Sequence, residues 1–280
     1  MTTFLSRLSP RNLRSKPPIV PVLRLSGVIG QGGGLRQGLT LAALAGPIEK
    51  AFSMKHAPAV ALAINSPGGS PVQSALIAGR IRELAAEKKK PVYAFVEDVA
   101  ASGGYWLALA ADAVYADKSS IVGSIGVVSA GFGFPELIAR HGVERRVYTA
   151  GSSKVILDPF KPEREEDVEK LRALQRDIHE AFKDHVRDRR AGKLTAGDDV
   201  LFEGDFWTGS KALEFGLIDG IGHMLPVLRE KFGEKVKLRA VTQTKGWLRR
   251  RLNFGSALEG FAADAIAAVE ERAHWQRFGL

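Results

Sequence analysis

The chain has 280 residues, enough to bury a sizeable core, and its 45% hydrophobic and 25% charged content excludes a largely disordered protein. It has no cysteine, which excludes disulfides, thiolate metal sites and a cysteine nucleophile. The net charge of +9 is unevenly placed, with one basic cluster at Arg7, Arg11, Arg14, Lys16 and Arg24 and another at Lys245, Arg249, Arg250 and Arg251. These ends lack interleaved stacking aromatics, so no nucleic-acid binding is expected; they suit solvated tails or peripheral contact with an anionic membrane surface. No apolar run is long enough to cross a bilayer, and the first twenty residues lack the apolar middle of a signal peptide. The expected location is cytoplasmic or peripheral at the inner membrane.

Residues 1–18, rich in Ser, Arg and Pro, read as a flexible basic arm ahead of a domain at 19–244. Residues 19–25 predict a first strand, with Pro21 tolerated near its edge. Residues 27–38 are glycine-rich and form a loop, but no G-K-[ST] follows to make a phosphate cradle. Residues 39–52 have helical spacing, 59–64 form a continuous apolar run, 72–86 read as a helix and 91–96 as another buried strand. This alternation predicts an α/β layer with parallel strands. Residues 112–116, 121–129 and 143–149 predict short strands and 134–141 a helix. Residues 164–190 predict the longest helix, with a buried stripe through Val168, Leu171, Leu174, Ile178, Phe182 and Val186. His179 and His185 on it do not have the spacing of helical metal ligands; they are expected at the surface, and no metal site or cofactor is expected. A helix capped by Thr208 and closed by Gly216, a helix at 224–232 and a strand at 236–241 complete the domain. Residues 245–280 predict an amphipathic helical appendage for docking or oligomer contact.

The stretch Ala100-Ala101-Ser102-Gly103-Gly104-Tyr105-Trp106 sets one hydroxyl between an apolar strand and an apolar helix. At such a turn the helix has free N–H groups and a positive dipole end, which suits an acyl-transfer nucleophile and equally an ordinary N-cap. A second loop, Asn65-Ser66-Pro67-Gly68-Gly69-Ser70, follows the preceding strand. The carboxyl ends of neighbouring parallel strands share a crevice, so amides of Gly68 or Gly69 and of Gly103 can form an oxyanion hole above Ser102. A plain turn accounts for Pro67-Gly68-Gly69 as well. For a base, His141 is one candidate, and a lysine made neutral by burial is another. Lys154 stands among small and apolar neighbours, away from other charges; Lys118, beside Asp117, is the runner-up.

Together, Asn65-Ser-Pro-Gly-Gly69, Ala101-Ser-Gly-Gly-Tyr105, Gly123-Ser-Ile-Gly-Val127, Ser153-Lys154 and Thr208-Gly-Ser-Lys-Ala-Leu…Gly216-Leu-Ile-Asp219 resemble the protease IV, or signal peptide peptidase A, family of serine peptidases. The resemblance implies Ser102 as nucleophile, Lys154 as general base and Ser124 as the residue that orients the lysine amine. It implies a Clp-protease/crotonase-like spiral of β-β-α units, a homo-oligomer, and extended apolar peptides as substrates, such as signal-peptide remnants or membrane-protein fragments. Family members commonly carry an N-terminal membrane anchor, which is not seen here. A crotonase-like acyl-CoA enzyme, with Glu97 and Asp98 moving protons, is the competing reading at the level of fold.

Overall fold

The computed structural model of the protein describes residues 17–30, 38–151, 153–241, 272 and 275–279. β1 (Ile19–Ser26) leads through α1 (Leu41–Ser53) to β2 (Val60–Ser66), and α2 (Pro71–Lys88) leads to β3 (Val92–Ala101) and α3 (Gly103–Ala108). β4 (Ala113–Ala116) and β5 (Ile121–Gly123) precede α4 (Pro135–Arg140), the long α5 (Glu165–Arg189) and α6 (Asp198–Leu201). β6 (Phe206–Thr208), α7 (Gly209–Glu214), β7 (Gly220–Ile221), α8 (Met224–Phe232) and β8 (Lys237–Val241) follow. The fold is α/β, a mixed sheet flanked by helices. β4, β5 and α4 run in the β-β-α order expected of a spiral, whereas the earlier units run β-α.

The sheet order is β6-β5-β3-β2-β1-β8, and only β5 and β6 pair antiparallel. β2 sits in the middle, and its near-unbroken apolar run is what a strand covered on both faces requires. On one face Leu23, Leu25, Leu62 and Ile64 pack with Ile48, Ile77, Ile81 and Tyr105; on the other Val20, Ala61 and Phe95 pack with Val227 and Leu228 of α8. Each such Leu or Ile contributes roughly 1.5–3 kcal/mol by leaving water. β1 lies between β2 and β8, and its pairing with β2 starts only at Val22, one residue after Pro21.

β3 is longer than the expected 91–96, because it changes partners along its length. Tyr93–Val96 pair with β4 and Val99–Ala101 with β5, so the sheet forks on one edge of β3. A register shift against β2 between Ile64 and Ser66 accompanies the fork. Asn65 spans it: its Nδ2 donates to Asp98 Oδ2 at 2.6 Å, and its Oδ1 accepts from Val99 N at 3.3 Å. The fork carries β3 straight to Ser102.

Beyond β5 the chain departs from expectation. Residues 121–129 are a strand only as far as Gly123, and 143–149 form no strand. None of the described residues 128–166 is buried. The apolar stripe on α5 is correspondingly buried only near its end, at Phe182 and Val186, while Leu174 and Ile178 face solvent. The periodicity is sound, but none of the described residues buries the apolar side chains of its first half.

His185 is a correction of the opposite kind. It is largely buried, its ring stacks on Trp106 of α3 at 4.5 Å, and its Nε2 has no hydrogen-bond partner. Burial lowers its pKa to about 4, against a hydrogen bond to the Trp106 backbone that raises it. His179 is half-buried, with Nε2 3.1 Å from Ile125 O. At the end of α5, buried Arg190 donates to Asp219 at 2.7 Å and to Gly216 O at 2.7 Å. Asp219 also accepts from Lys193 and from Val114 N, which ties α5, the turn after α7 and β4 together. Burial raises the Asp219 pKa, but its bonds to Lys193 and Arg190 outweigh that and hold it below the ordinary carboxylate value. The motif ending in Asp219 is thus an architectural lock.

Candidate active site

The site is assembled at the carboxyl ends of β2, β3 and β5. Ser102 follows β3 with φ 51° and ψ −122°, a left-handed conformation that costs a non-glycine residue on the order of 1–3 kcal/mol. It occupies the N-cap position of α3, yet its side chain makes no capping bond. The hydroxyl is therefore not spent on the helix, and the cap reading is corrected. The Ser102 N–H donates to Gly123 O at 2.7 Å, which continues the β3–β5 ladder by one step and brings Ser124 beside it. Ser124 is buried, has φ 52°, and donates its N–H to Asp205 O at 2.6 Å.

The Gly68–Gly69 loop closes on this serine. A Cβ on Gly68 would stand 2.8 Å from Ser102 Cβ and 3.0 Å from Gly103 N, so only glycine permits the approach. A Cβ on Gly69 would strike Ile29 O, because the loop pairs with Ile29: Ile29 N donates to Gly68 O and Ser70 N to Ile29 O, both at 2.8 Å. That pairing turns the Gly69 N–H the other way. Gly68 N donates to Ser66 Oγ at 3.2 Å, whereas the Gly69 and Gly103 N–H groups have no acceptor among the described residues. A Cβ on Gly103 would lie 3.5 Å from Gly69 N, so the two loops meet closely beside Ser102. Two N–H donors without acceptors near an uncommitted hydroxyl are the groups a developing oxyanion needs.

The structure thus brings Gly68, Gly69, Ser102, Gly103 and Ser124 together. It does not bring Lys154 to them. Lys154 is exposed on the loop between α4 and α5, its N–H donates to Gly151 O at 3.2 Å, and no hydrogen bond ties its amine to Ser102. The burial expected to make it a base is not supplied by the described residues. Lys118 and His141 are exposed as well. Glu97 and Asp98, the carboxylates of the acyl-CoA alternative, are engaged by Arg24 at 2.6 Å and by Asn65. Among the described residues no group of three or more His, Asp or Glu side chains converges to hold a metal.

Several residues of the site escaped the sequence reading. Ser66 is fully buried; its Oγ donates to Gly27 O at 2.7 Å while accepting from Gly68 N, which pins the glycine loop. Ser74 Oγ donates to Ser70 O at 2.9 Å and stands behind Gly103, where a Cβ would meet it. The one available signal was polar residues embedded where an apolar strand or helix face continues.

Peptidase family S49 matches residues 85–238. A protein of Brucella melitensis named Na(+)/H(+) antiporter NhaA is 57% identical over 99% of this chain, which spans only 39% of that protein. A putative protease of Synechocystis sp. is 31% identical, with 82% of this chain and 84% of that protein covered. Among solved structures, a mutant of the 1510-N membrane-bound stomatin-specific protease is similar with a TM-score of 0.49 at 15% identity, covering 81% of this chain and 99% of that one. The chain belongs to peptidase family S49.

Proposed function

We propose that the chain is an endopeptidase with a Ser-Lys dyad, Ser102 as nucleophile and Lys154 as general base, acting on extended apolar peptides. The observation that carries this reading is the uncapped, strained Ser102 beside the free Gly69 and Gly103 amides. Lys154, in its neutral form, takes the Ser102 proton as the oxygen attacks a peptide carbonyl. The carbonyl oxygen gains charge and is held by the Gly69 and Gly103 N–H groups, one such donor contributing about 2.7–4 kcal/mol. Gly68 keeps the space open rather than donating, since Ser66 takes its N–H. The intermediate expels the amine, which receives the proton from Lys154, and leaves an acyl ester on Ser102. Water then attacks the ester and gives its proton to Lys154, which passes it to the Ser102 oxygen as the acid leaves, restoring the serine and the neutral lysine. Ser124 orients the lysine amine from beside Ser102.

Lys154 reaches Ser102 in this scheme from a second copy of the chain. Support comes from the segment that bears it: residues 128–166 stand out from the core, with Phe132 81% and Tyr148 91% exposed. A neighbouring copy that covers these side chains also supplies the burial that lowers a lysine pKa. The relative named as an antiporter supports a membrane setting, and so membrane-protein fragments as substrates at the inner-membrane surface. No helix among the described residues is long and apolar enough to cross a membrane, so that setting would be peripheral for the part described.

The test is cleavage of an apolar quenched-fluorescent peptide by the purified chain. Ser102→Ala and Lys154→Ala are each expected to lower kcat/KM by about 10⁴-fold or more. Mixing the two inactive variants should restore part of the activity, because one copy contributes the serine and the other the lysine. Undiminished cleavage by either variant would falsify the dyad; a mixture that stays inactive places both residues in one copy.

A further inference from the structure

The chain leaves the sheet at Val241 on β8, the edge strand farthest from β6. Its last described residues nevertheless lie at the β6 end. Trp275 and Phe278 pack against Val99 and Ala101 of β3 and Ile121 of β5. Phe278 is only 8% exposed, and its ring meets Phe206 of β6 edge-on at 5.1 Å. Arg277 donates to Gly204 O at 3.4 Å. The bonds Phe278 N to Trp275 O at 2.9 Å and Gly279 N to Gln276 O at 3.0 Å close the segment into a turn.

The receiving residues are the ones that place the nucleophile. Ala101 immediately precedes Ser102. Ile121 begins the strand whose Gly123 O accepts the Ser102 N–H. Gly204 precedes Asp205, whose carbonyl accepts the Ser124 N–H. β5 and β6 have three residues each, too few to hold their position by their own ladder. α3 and α5 cover the opposite face of the sheet here, so without the tail this face of β3, β5 and β6 has no apolar cover among the described residues.

We propose that the Trp275–Phe278 turn is a C-terminal latch: its two aromatic residues are positioning residues that clamp β3, β5 and β6 from behind and so fix Ser102 and Ser124. This rests on the assignment of Ser102 as nucleophile for its catalytic consequence, but not for its structural one. As a positioning element, the latch should act through the alignment of Ser102 and Ser124, so its loss is expected in kcat more than in KM.

The test uses the full chain carrying Phe278→Ala, followed by hydrogen-exchange mass spectrometry and peptide cleavage. Amide exchange at residues 121–126 and 203–208 is expected to rise by about tenfold or more while α1 and α2 keep their protection. kcat is expected to fall roughly ten- to a hundredfold with KM nearly unchanged, the scale for a displaced catalytic group. Phe278→Leu, which keeps apolar bulk, should recover most of both. Wild-type exchange and wild-type kcat in Phe278→Ala overturn the latch. If Phe278→Ala does not fold, Phe206→Ala removes the receiving ring instead and must give the same pair of changes; wild-type values there overturn the latch equally. If the unmutated chain cleaves no peptide, the assignment of Ser102 fails, and the exchange pattern alone decides the latch.

Discussion

The Ser102 half of the site and the segment bearing Lys154 are built on opposite terms. Around Ser102, Ser66, Gly103 and Ser124 are buried, the backbone is strained, and all but a few N–H groups have acceptors. From residue 128 to 166 nothing described is buried and apolar rings face water. The strand ends hold Ser102 and the glycine loop through local ladder bonds, whereas among the described residues nothing buries Lys154. In the proposed reaction that burial would come from a second copy. The contrast teaches that preorganisation and pKa tuning, although both serve one reaction, can be supplied by different levels of structure.

The sharpest way to break this comparison, after removal of Ser102 or Lys154 themselves, is to disturb the preformed half. Asp219→Ala leaves buried Arg190 without its carboxylate and should destabilise the chain by about 3–5 kcal/mol, read by urea unfolding. Because the Asp219 pKa is lowered in the fold, its contribution is present above the unfolded value of about 3.9 and is lost as the pH falls through the folded value. Gly68→Ala forces a Cβ into Ser102 and Gly103 N at φ 107°. It should lower kcat by roughly 10²–10³-fold while the fold persists, as checked by cleavage kinetics and circular dichroism. A KM effect alone would show that Gly68 serves binding and not alignment.

His185 offers a subtler probe. Its folded pKa of about 4 lies below the unfolded value of about 6.5, so the unfolded chain takes up the proton first as the pH falls. Stability should decline between about pH 6.5 and 4, by up to roughly 3 kcal/mol, and His185→Phe should flatten that slope in melts across the range. The smallest expected effect belongs to the exposed segment. Phe132→Ser with Tyr148→Ser should shift the melting of the single chain by less than about 0.5 kcal/mol. The same pair should reduce both self-association, measured by sedimentation, and peptide cleavage; full activity in a monomeric double variant would end the two-copy account.

Much of this was legible along the chain. β2 and β3 were visible as apolar runs, α1 and α2 from their helical spacing, and Ser102 with its glycine neighbours from their place after a strand. What misled the reading is equally specific. Residues 143–149 have strand composition but pair with no strand of the sheet. His185 resembles its charged neighbours on α5, and only the approach of Trp106 buries it.

By itself the sequence determined the residue types and their order along the chain: a serine between small residues, a glycine pair one strand earlier, a lysine isolated from other charges, and the strand-helix alternation that makes the sheet parallel. Only the tertiary structure decided which groups are free to act. It spent the Gly68 amide on Ser66 and left those of Gly69 and Gly103 open, kept the Ser102 hydroxyl off its helix, held Lys154 in solvent, and returned Phe278 behind the nucleophile strand. The physical reason is that hydrogen-bond satisfaction and burial depend on partners distant in the chain, and a local pattern states a group's capacity but not its commitments.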